Sequence, residues 1–232
     1  MAGCAYGRLR QRQRSKLILW QMKLQLRPLL IFCLLILGCG CDRTDNRVSP
    51  FISSEPATTT ITNPIARKLV AGGIAQTTVT KTYDPAYVAL KYPGGDVPAS
   101  TGVCTDVIVR AYRQIGIDLQ QAVHEDMRRN FAVYPKLWGL KQPDKNIDHR
   151  RVANLMTFFD RRGATLPITG EYLPGDLVTY DLGEIGLHIA IVTNIKTNDG
   201  YQMVHNACCG TKVETIPRNW KINGRYRYLP RV

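Results

Sequence analysis

TGVCTDVIVRAYRQIG, residues 101–116, is the stretch whose reading decides the fold. Val107, Ile108, Ala111, Tyr112 and Ile115 fall at i, i+1, i+4, i+5 and i+8, which is one apolar face of an α-helix. The helix runs from about Cys104 to Gln114 and Gly116 stops it. A Pro/Gly-rich loop, YPGGDVPASTG at 92–102, precedes it. Cys104 therefore stands at a helix start, and two readings are open. Free cysteine is often a small, inert core residue. At this place the positive end of the helix macrodipole would instead lower its pKa and favour the thiolate.

A thiolate nucleophile needs a base, and the base needs an orienting group. Of the four histidines, His188 lies in GLHIAIVTN and His205 in YQMVHNA, both strand-like. Asn198-Asp199-Gly200 between them is a hairpin turn. Antiparallel pairing through that turn puts both imidazoles on one face. One ring nitrogen can then meet the sulfur while another is held by a polar partner. Cys104, His188, His205 and Cys208 also offer zinc-type donors, but the chain has no short metal-binding knuckle. The expectation is no metal and no cofactor.

Outward from this pair, Asn63-Pro64 opens a helix over roughly 64–76. Asp148 caps another over 149–162, with Val152, Leu155, Met156 and Phe159 inward. After Gly163 the texture becomes strands. These are 177–180, behind the turn Pro174-Gly175-Asp176, then 187–193, 201–206, 211–216 and 225–229. Helices first and strands second predict an α+β domain, its N-terminal helices packed on an antiparallel sheet.

The N-terminus reads as an address. Residues 29–38, LLIFCLLILG, form an apolar run of ten, short of the roughly 20 a membrane span needs but right for a signal-peptide core. Ile36-Leu37-Gly38-Cys39 resembles a lipobox, in which Cys39 is lipidated. The basic region before it is 28 residues long, and a start at Met22 would give an ordinary signal. Plain signal cleavage or an uncleaved anchor is the other reading. Residues 1–41 are taken as the signal, Ser/Thr/Pro-rich 42–63 as a flexible tether, and 64–232 as the folded domain. Of the net charge of +13, residues 1–41 carry seven, which leaves a moderately basic remainder. Such a surface suits an anionic polymer or lipid. Nucleic acid is not expected, because RNA-binding aromatic motifs and zinc-finger spacings are absent from the sequence.

Cysteine at a helix start, histidine on one strand and a polar residue on the next resembles the NlpC/p60 superfamily of papain-like cell-wall cysteine peptidases. Pro174-Gly175-Asp176-Leu177-Val178 resembles that superfamily's PGDLV turn, and His188-Ile189-Ala190-Ile191-Val192 its histidine strand. Val204-His205-Asn206-Ala207 resembles its third-residue segment. Tyr92, twelve residues before Cys104, matches a tyrosine often placed near the oxyanion. YPGGDVPASTGVCTDVIVRAYRQIGIDLQ, VHEDM and NIDHRRVANLMTFF together resemble the bacterial family of domain of unknown function 1287, in the same papain-like clan. The resemblance runs from about Tyr83 to Tyr228. It implies a papain-like NlpC/p60-type fold with Cys104 as nucleophile, His188 as base and acid, and His205 as orienter. It carries over no substrate. Together with the N-terminal address and the cell-wall role of the wider superfamily, the expectation is an exported, membrane-anchored cysteine amidase or endopeptidase of the cell envelope, cutting peptide or amide bonds of peptidoglycan stem peptides.

The chain departs from the superfamily in its Val103-Cys104-Thr105-Asp106, in the 84 residues from Cys104 to His188 with an insertion over 118–170, and in Cys208-Cys209. His149, Arg150 and Arg151 are candidates for a pocket wall that binds a substrate carboxylate, or else a cap and a solvated basic face. Asp106 either complements the helix dipole or orients a substrate amine. His124 reads as structural, Asp96 as a loop-shaping residue and Asp176 as a turn residue. A Cys104–Cys208 bridge would silence the enzyme. Two other functions stay open: a non-catalytic wall-binding lipoprotein with a retained peptidase fold, and an acyltransferase using the same Cys-His-His set.

Overall fold

The computed structural model describes residues 56–230. The signal segment, the Met22 start and Cys39 lie outside the described residues. Helix α1 is Pro64–Ala75. The Asn63 side chain accepts the N–H groups of Ile65 and Ala66 at 2.9 and 3.0 Å, satisfying two donors the helix leaves unpaired. Ala66, Leu69, Val70 and Gly73 form its buried face. Helix α2 is Cys104–Arg113, and Val107, Ile108, Ala111 and Tyr112 are fully buried. Helix α3 is Leu119–Asn130, capped by the Asp118 side chain. Helix α4 is Val152–Arg161 and buries Leu155, Phe158 and Phe159.

The strands are β1 (Ala57–Thr58), β2 (Thr82–Tyr83), β3 (Thr101–Gly102), β4 (Leu177–Asp181), β5 (Leu187–Thr197), β6 (Gly200–Asn206), β7 (Thr211–Glu214) and β8 (Lys221–Tyr226). The main sheet has the order β7-β6-β5-β4-β8, with every pairing antiparallel and β1 added against the far end of β5. β2 and β3 form a separate parallel pair just before α2. The architecture is α+β, as the element order predicts.

The sheet has two differently filled faces. Ile189, Ile191 and Val204 join Leu69, Val107, Ile108, Tyr112, Phe158 and Phe159 in the main core, on the helix side. Val178, Tyr180, Ala190 and Val192 form a smaller cluster on the other side, partly roofed by Trp220. The alternation along β5 follows from the two-residue period of a strand. Each fully buried Phe or Leu contributes about 1.5–3 kcal/mol, so the helix-side core dominates stability.

Several expected boundaries move. Helix α3 is absent from the sequence reading. Its apolar stripe is only Leu119, Val123 and Met127, interrupted by the buried polar Gln120 and Asp126. The helix expected at 149–162 begins at Val152, because Asp148–Arg150 form a 3₁₀ turn. The last strand is 221–226 rather than 225–229, in register with β4 from Asp181↔Lys221 to Leu177↔Tyr226. The end of the segment read as a tether supplies β1, and Thr59 N–H donates to Asn194 O at 2.8 Å, so chain order begins before Pro64. Asp176 is more than a turn residue. It is fully buried, and Arg225 and Arg227 both donate to it at 2.7–3.0 Å.

Candidate active site

Cys104 is the first residue of α2 and is 4% exposed. Its helix start is built from charge. The Asp106 carboxylate accepts the Val103 N–H at 2.7 Å, and Arg150 donates to both its oxygens at 2.9 and 3.0 Å. Gly102 lies at φ +155°, and a Cβ there would sit 3.1 Å from Asp106, so the chain approaches closely only as glycine.

The thiol meets the sheet where β5 and β6 part. These strands pair at Ile191↔Val204 and Val192↔Met203 and, after a shift of register, at Lys196↔Tyr201 and Thr197↔Gly200, but residues 187–190 have no partner on β6. There the Ile189 backbone N–H points at the Cys104 sulfur. Ile189 is the residue next to His188 in the chain. Across the same gap His188 Nε2 and His205 Nδ1 are 2.9 Å apart. Both rings are buried and project to the face away from the helices, as expected from the hairpin. Glu214 Oε1 is 3.2 Å from His205 Nε2, a contact of charge rather than an aligned hydrogen bond.

That contact orders the protons. The carboxylate favours N–H at His205 Nε2, which leaves Nδ1 as an acceptor. His188 then donates from Nε2 and keeps a lone pair on Nδ1. Trp220 covers both rings, with centroids 5.0 Å from His188 and 5.8 Å from His205. Tyr180, opposite His188 on β4, completes the stack.

Burial governs the charge state. It pushes the Cys104 thiol up to about 12, aided by the negative charge of Asp106 and opposed by the backbone N–H groups of Ile189, Thr105 and Cys104. It pulls His188 down to about 3, with His205 adding to the effect. The expectation of a thiol lowered by the helix dipole is therefore corrected. Desolvation outweighs the N-terminal field, and the resting thiol and the resting His188 imidazole are both uncharged.

A pocket of about 380 Å³ opens on Cys104, lined by Tyr83, Val103, Trp138, Arg150, Arg151 and Leu187 among others. Tyr92 is not in this lining. It packs edge-on to His124 at 5.2 Å, with Lys145 over its ring. The tyrosine near the thiol is Tyr83, whose hydroxyl is raised by burial and by Cys104 and Asp106. Asp106 and Arg150 occupy each other, and Arg150 also donates to the carbonyls of Ala86 and Asp84. Neither is open to a substrate group. His149 is buried, held near 3 by burial and the charge of Arg150, and lies outside the pocket lining. Arg151 is placed differently. Its guanidinium lies 4.1 Å over the Trp138 ring at the pocket wall and 3.7 Å from Asp148. Asp96 pairs with Arg110 and Arg113, as its loop-shaping role anticipates.

Tyr83, Glu214 and Trp220 are absent from the sequence reading. Glu214 had a signal: His205 pairs with Lys212, and the residue two further on β7 shares its face. Trp220 had only its chemistry, a large ring in the polar segment Pro217–Lys221 that must cover something.

Uncharacterized protein YijF of Escherichia coli (strain K12) is 49% identical over 154 residues, covering 65% of this chain and 75% of that protein. The solved structure of NlpC2 from Trichomonas vaginalis is similar at a TM-score of 0.40 and 12% identity, covering 75% of this chain. The chain spans about half, 49%, of that structure's length. The family model described as domain of unknown function (DUF1287) matches residues 70–228, which hold the thiol, both histidines and the whole pocket, and the chain belongs to that family.

Proposed function

We propose that this domain is a cysteine amidase or endopeptidase working by thiol acyl transfer, exported and held at the membrane through Cys39, with peptide or amide bonds of peptidoglycan stem peptides as substrate. What supports the reading is that the Cys104 thiol meets the β5 backbone at Ile189, next in the chain to His188, whose Nε2 is 2.9 Å from His205 Nδ1. In the reaction His188 Nδ1 takes the Cys104 proton and the sulfur attacks the carbonyl carbon. A lone charge on either group is penalised by burial, but one proton transfer creates both charges at once and side by side. The Cys104 backbone N–H receives the oxyanion, with the Tyr83 hydroxyl the nearer tyrosine in place of Tyr92. His188 then gives its proton to the leaving amine as the C–N bond breaks. Water, deprotonated by His188, releases the acid and restores the thiol. Arg151 on its Trp138 platform is the cation open to a substrate carboxylate, a group that stem peptides carry.

The burial of Cys104 favours a second reading, a wall-binding module with an inert thiol. One experiment separates the two. Stem peptides from a peptidoglycan digest are incubated with the full chain and with Cys104→Ala and His188→Ala, and products are read by mass spectrometry. The expected outcome is cleavage by the native chain, none by Cys104→Ala, and a loss of about 1,000-fold or more for His188→Ala. Cleavage by Cys104→Ala would remove the assignment. Binding without cleavage by the native chain would establish the binding module.

A further inference from the structure

The turn over 207–210, between β6 and β7, holds two adjacent thiols that the proposed reaction does not use. Cys208 is half-buried and Cys209 exposed, with their sulfurs 2.7 Å apart. That is closer than two sulfurs rest in ordinary non-bonded contact. The turn is pinned at both ends. Asn206 Nδ2 donates to Gly102 O at 2.9 Å, and Thr211 N–H donates to Thr80 O at 2.9 Å. Gly210 sits at φ +94° with the Thr80 carbonyl where a Cβ would be, 2.6 Å away, so the turn presses on a fixed backbone. The two sulfurs face one another rather than Cys104, whose sulfur lies at the Ile189 N–H. The bridge between Cys104 and Cys208 weighed from the sequence is not the pairing this arrangement prepares.

We propose that Cys208 and Cys209 are a reversible dithiol–disulfide site that reacts with disulfide oxidants ahead of Cys104. The accessible Cys209 thiolate attacks a disulfide R–S–S–R, forming a Cys209–S–S–R bond and releasing one R–S⁻. The Cys208 thiolate then attacks the Cys209 sulfur, closing the Cys208–Cys209 bond and releasing the second R–S⁻. The protons of the two protein thiols leave with the two RSH molecules, and two electrons pass from the protein to the oxidant. The resolving thiol is already in contact, so the second step is intramolecular and outruns capture by a second oxidant molecule. Cys104, buried at 4% exposure, meets the same oxidant only slowly. An exported protein works among such oxidants, and the adjacent pair would take the oxidation in a form that a thiol reductant reverses.

The test uses the full chain exposed to glutathione disulfide. After acid unfolding the remaining thiols are blocked with iodoacetamide, and peptides are mapped by mass spectrometry. The expected result is a peptide spanning 208–209 that is lighter by two hydrogen atoms and carries no glutathione, while Cys104 carries the block. Cys208→Ser should instead retain glutathione on Cys209, having lost the resolving thiol. The proposal is overturned if Cys104 acquires glutathione first, if Cys104 joins either neighbour, or if Cys208 and Cys209 both stay reduced or carry separate adducts. No outcome depends on hydrolysis, so this result stands apart from that of the stem-peptide assay.

Discussion

The helix half and the sheet half of the candidate site are held by opposite means. On the helix side, Cys104 is framed by a buried ion pair, Asp106 with Arg150, both under 7% exposed. On the sheet side, an uncharged His188 is held by its hydrogen bond to His205, which the half-buried Glu214 touches, and by a roof of Tyr180 and Trp220. The charged half is saturated: every polar atom of the Arg150 fork has a protein acceptor, so it can fix a backbone and little else. The neutral half keeps a lone pair that can move a proton. The lesson is that charge near a reactive thiol need not be catalytic charge. Here it sets where the helix begins.

The comparison breaks most visibly at Arg150. Arg150→Ala leaves Asp106 buried and unpaired, and loss of one partner from a buried pair costs about 3–5 kcal/mol. Chemical denaturation should show that loss as a lower midpoint with an unchanged slope. Arg151→Ala, one residue on, removes a guanidinium whose contact to Asp148 is long, at 3.7 Å, and should cost less than that. Its expected effect is a raised KM for carboxylate-bearing peptides. Equal stability losses for the two would mean that Arg150 is not the frame described above.

The next effect is a pH dependence that belongs to both halves. His188 and His149 are each lowered to about 3 in the folded chain from an ordinary 6.5. The unfolded chain takes up those protons near 6.5 while the folded chain refuses them. Stability is therefore full above about 6.5 and falls as pH drops toward 3. Asp148 runs the other way. Burial raises it to about 6 from 3.8, so the folded chain gains relative stability as pH falls between those values. Two histidines against one aspartate give a net loss, on the order of a few kcal/mol by pH 4.5. Urea midpoints at pH 7 and 4.5 measure it, and His149→Gln should make the fall shallower. An unchanged fall would place the histidine contribution elsewhere.

How far the sequence revealed this arrangement differs between the same two halves. The β5–β6 hairpin was legible because its information is local. Alternation gives the faces, Asn198-Asp199-Gly200 gives the turn, and together they bring His188 to His205. Helix α2 was legible for the same reason, through one apolar stripe closed by Gly116. The partners of Cys104 were not. Arg150 reaches Asp106 across 44 residues, and Tyr83 arrives through a strand of two residues. No periodicity encodes such contacts. Tyr92 was favoured by its match to the superfamily's tyrosine near the oxyanion, and the fold carries it to His124 instead. The sign of the thiol shift was missed for a related reason. The helix N-terminus is visible in a sequence, whereas the burial that outweighs it depends on the whole packed core.

The smallest expected effect tests the neutral half directly. Trp220 is half-buried, and its ring contributes aromatic contacts worth about 0.5–1.5 kcal/mol beyond area. Trp220→Ala should therefore lower the denaturation midpoint less than Arg150→Ala does. Its consequence lies in what water then reaches. Without the ring, solvent competes for His205 Nδ1 and for the Nε2 proton of His188, and the base loses its fixed tautomer for part of the time. A cost near 1.4 kcal/mol in activation free energy is about tenfold in turnover. The loss should fall on kcat with KM little changed, because the ring is outside the pocket lining. Trp220→Phe, which keeps a roof but no indole, should recover most of the rate. Recovery by Phe would show that covering the hydrogen bond is what matters. A KM effect instead would move Trp220 from the imidazole pair to the substrate, and the sheet half would then do more than hold a proton path.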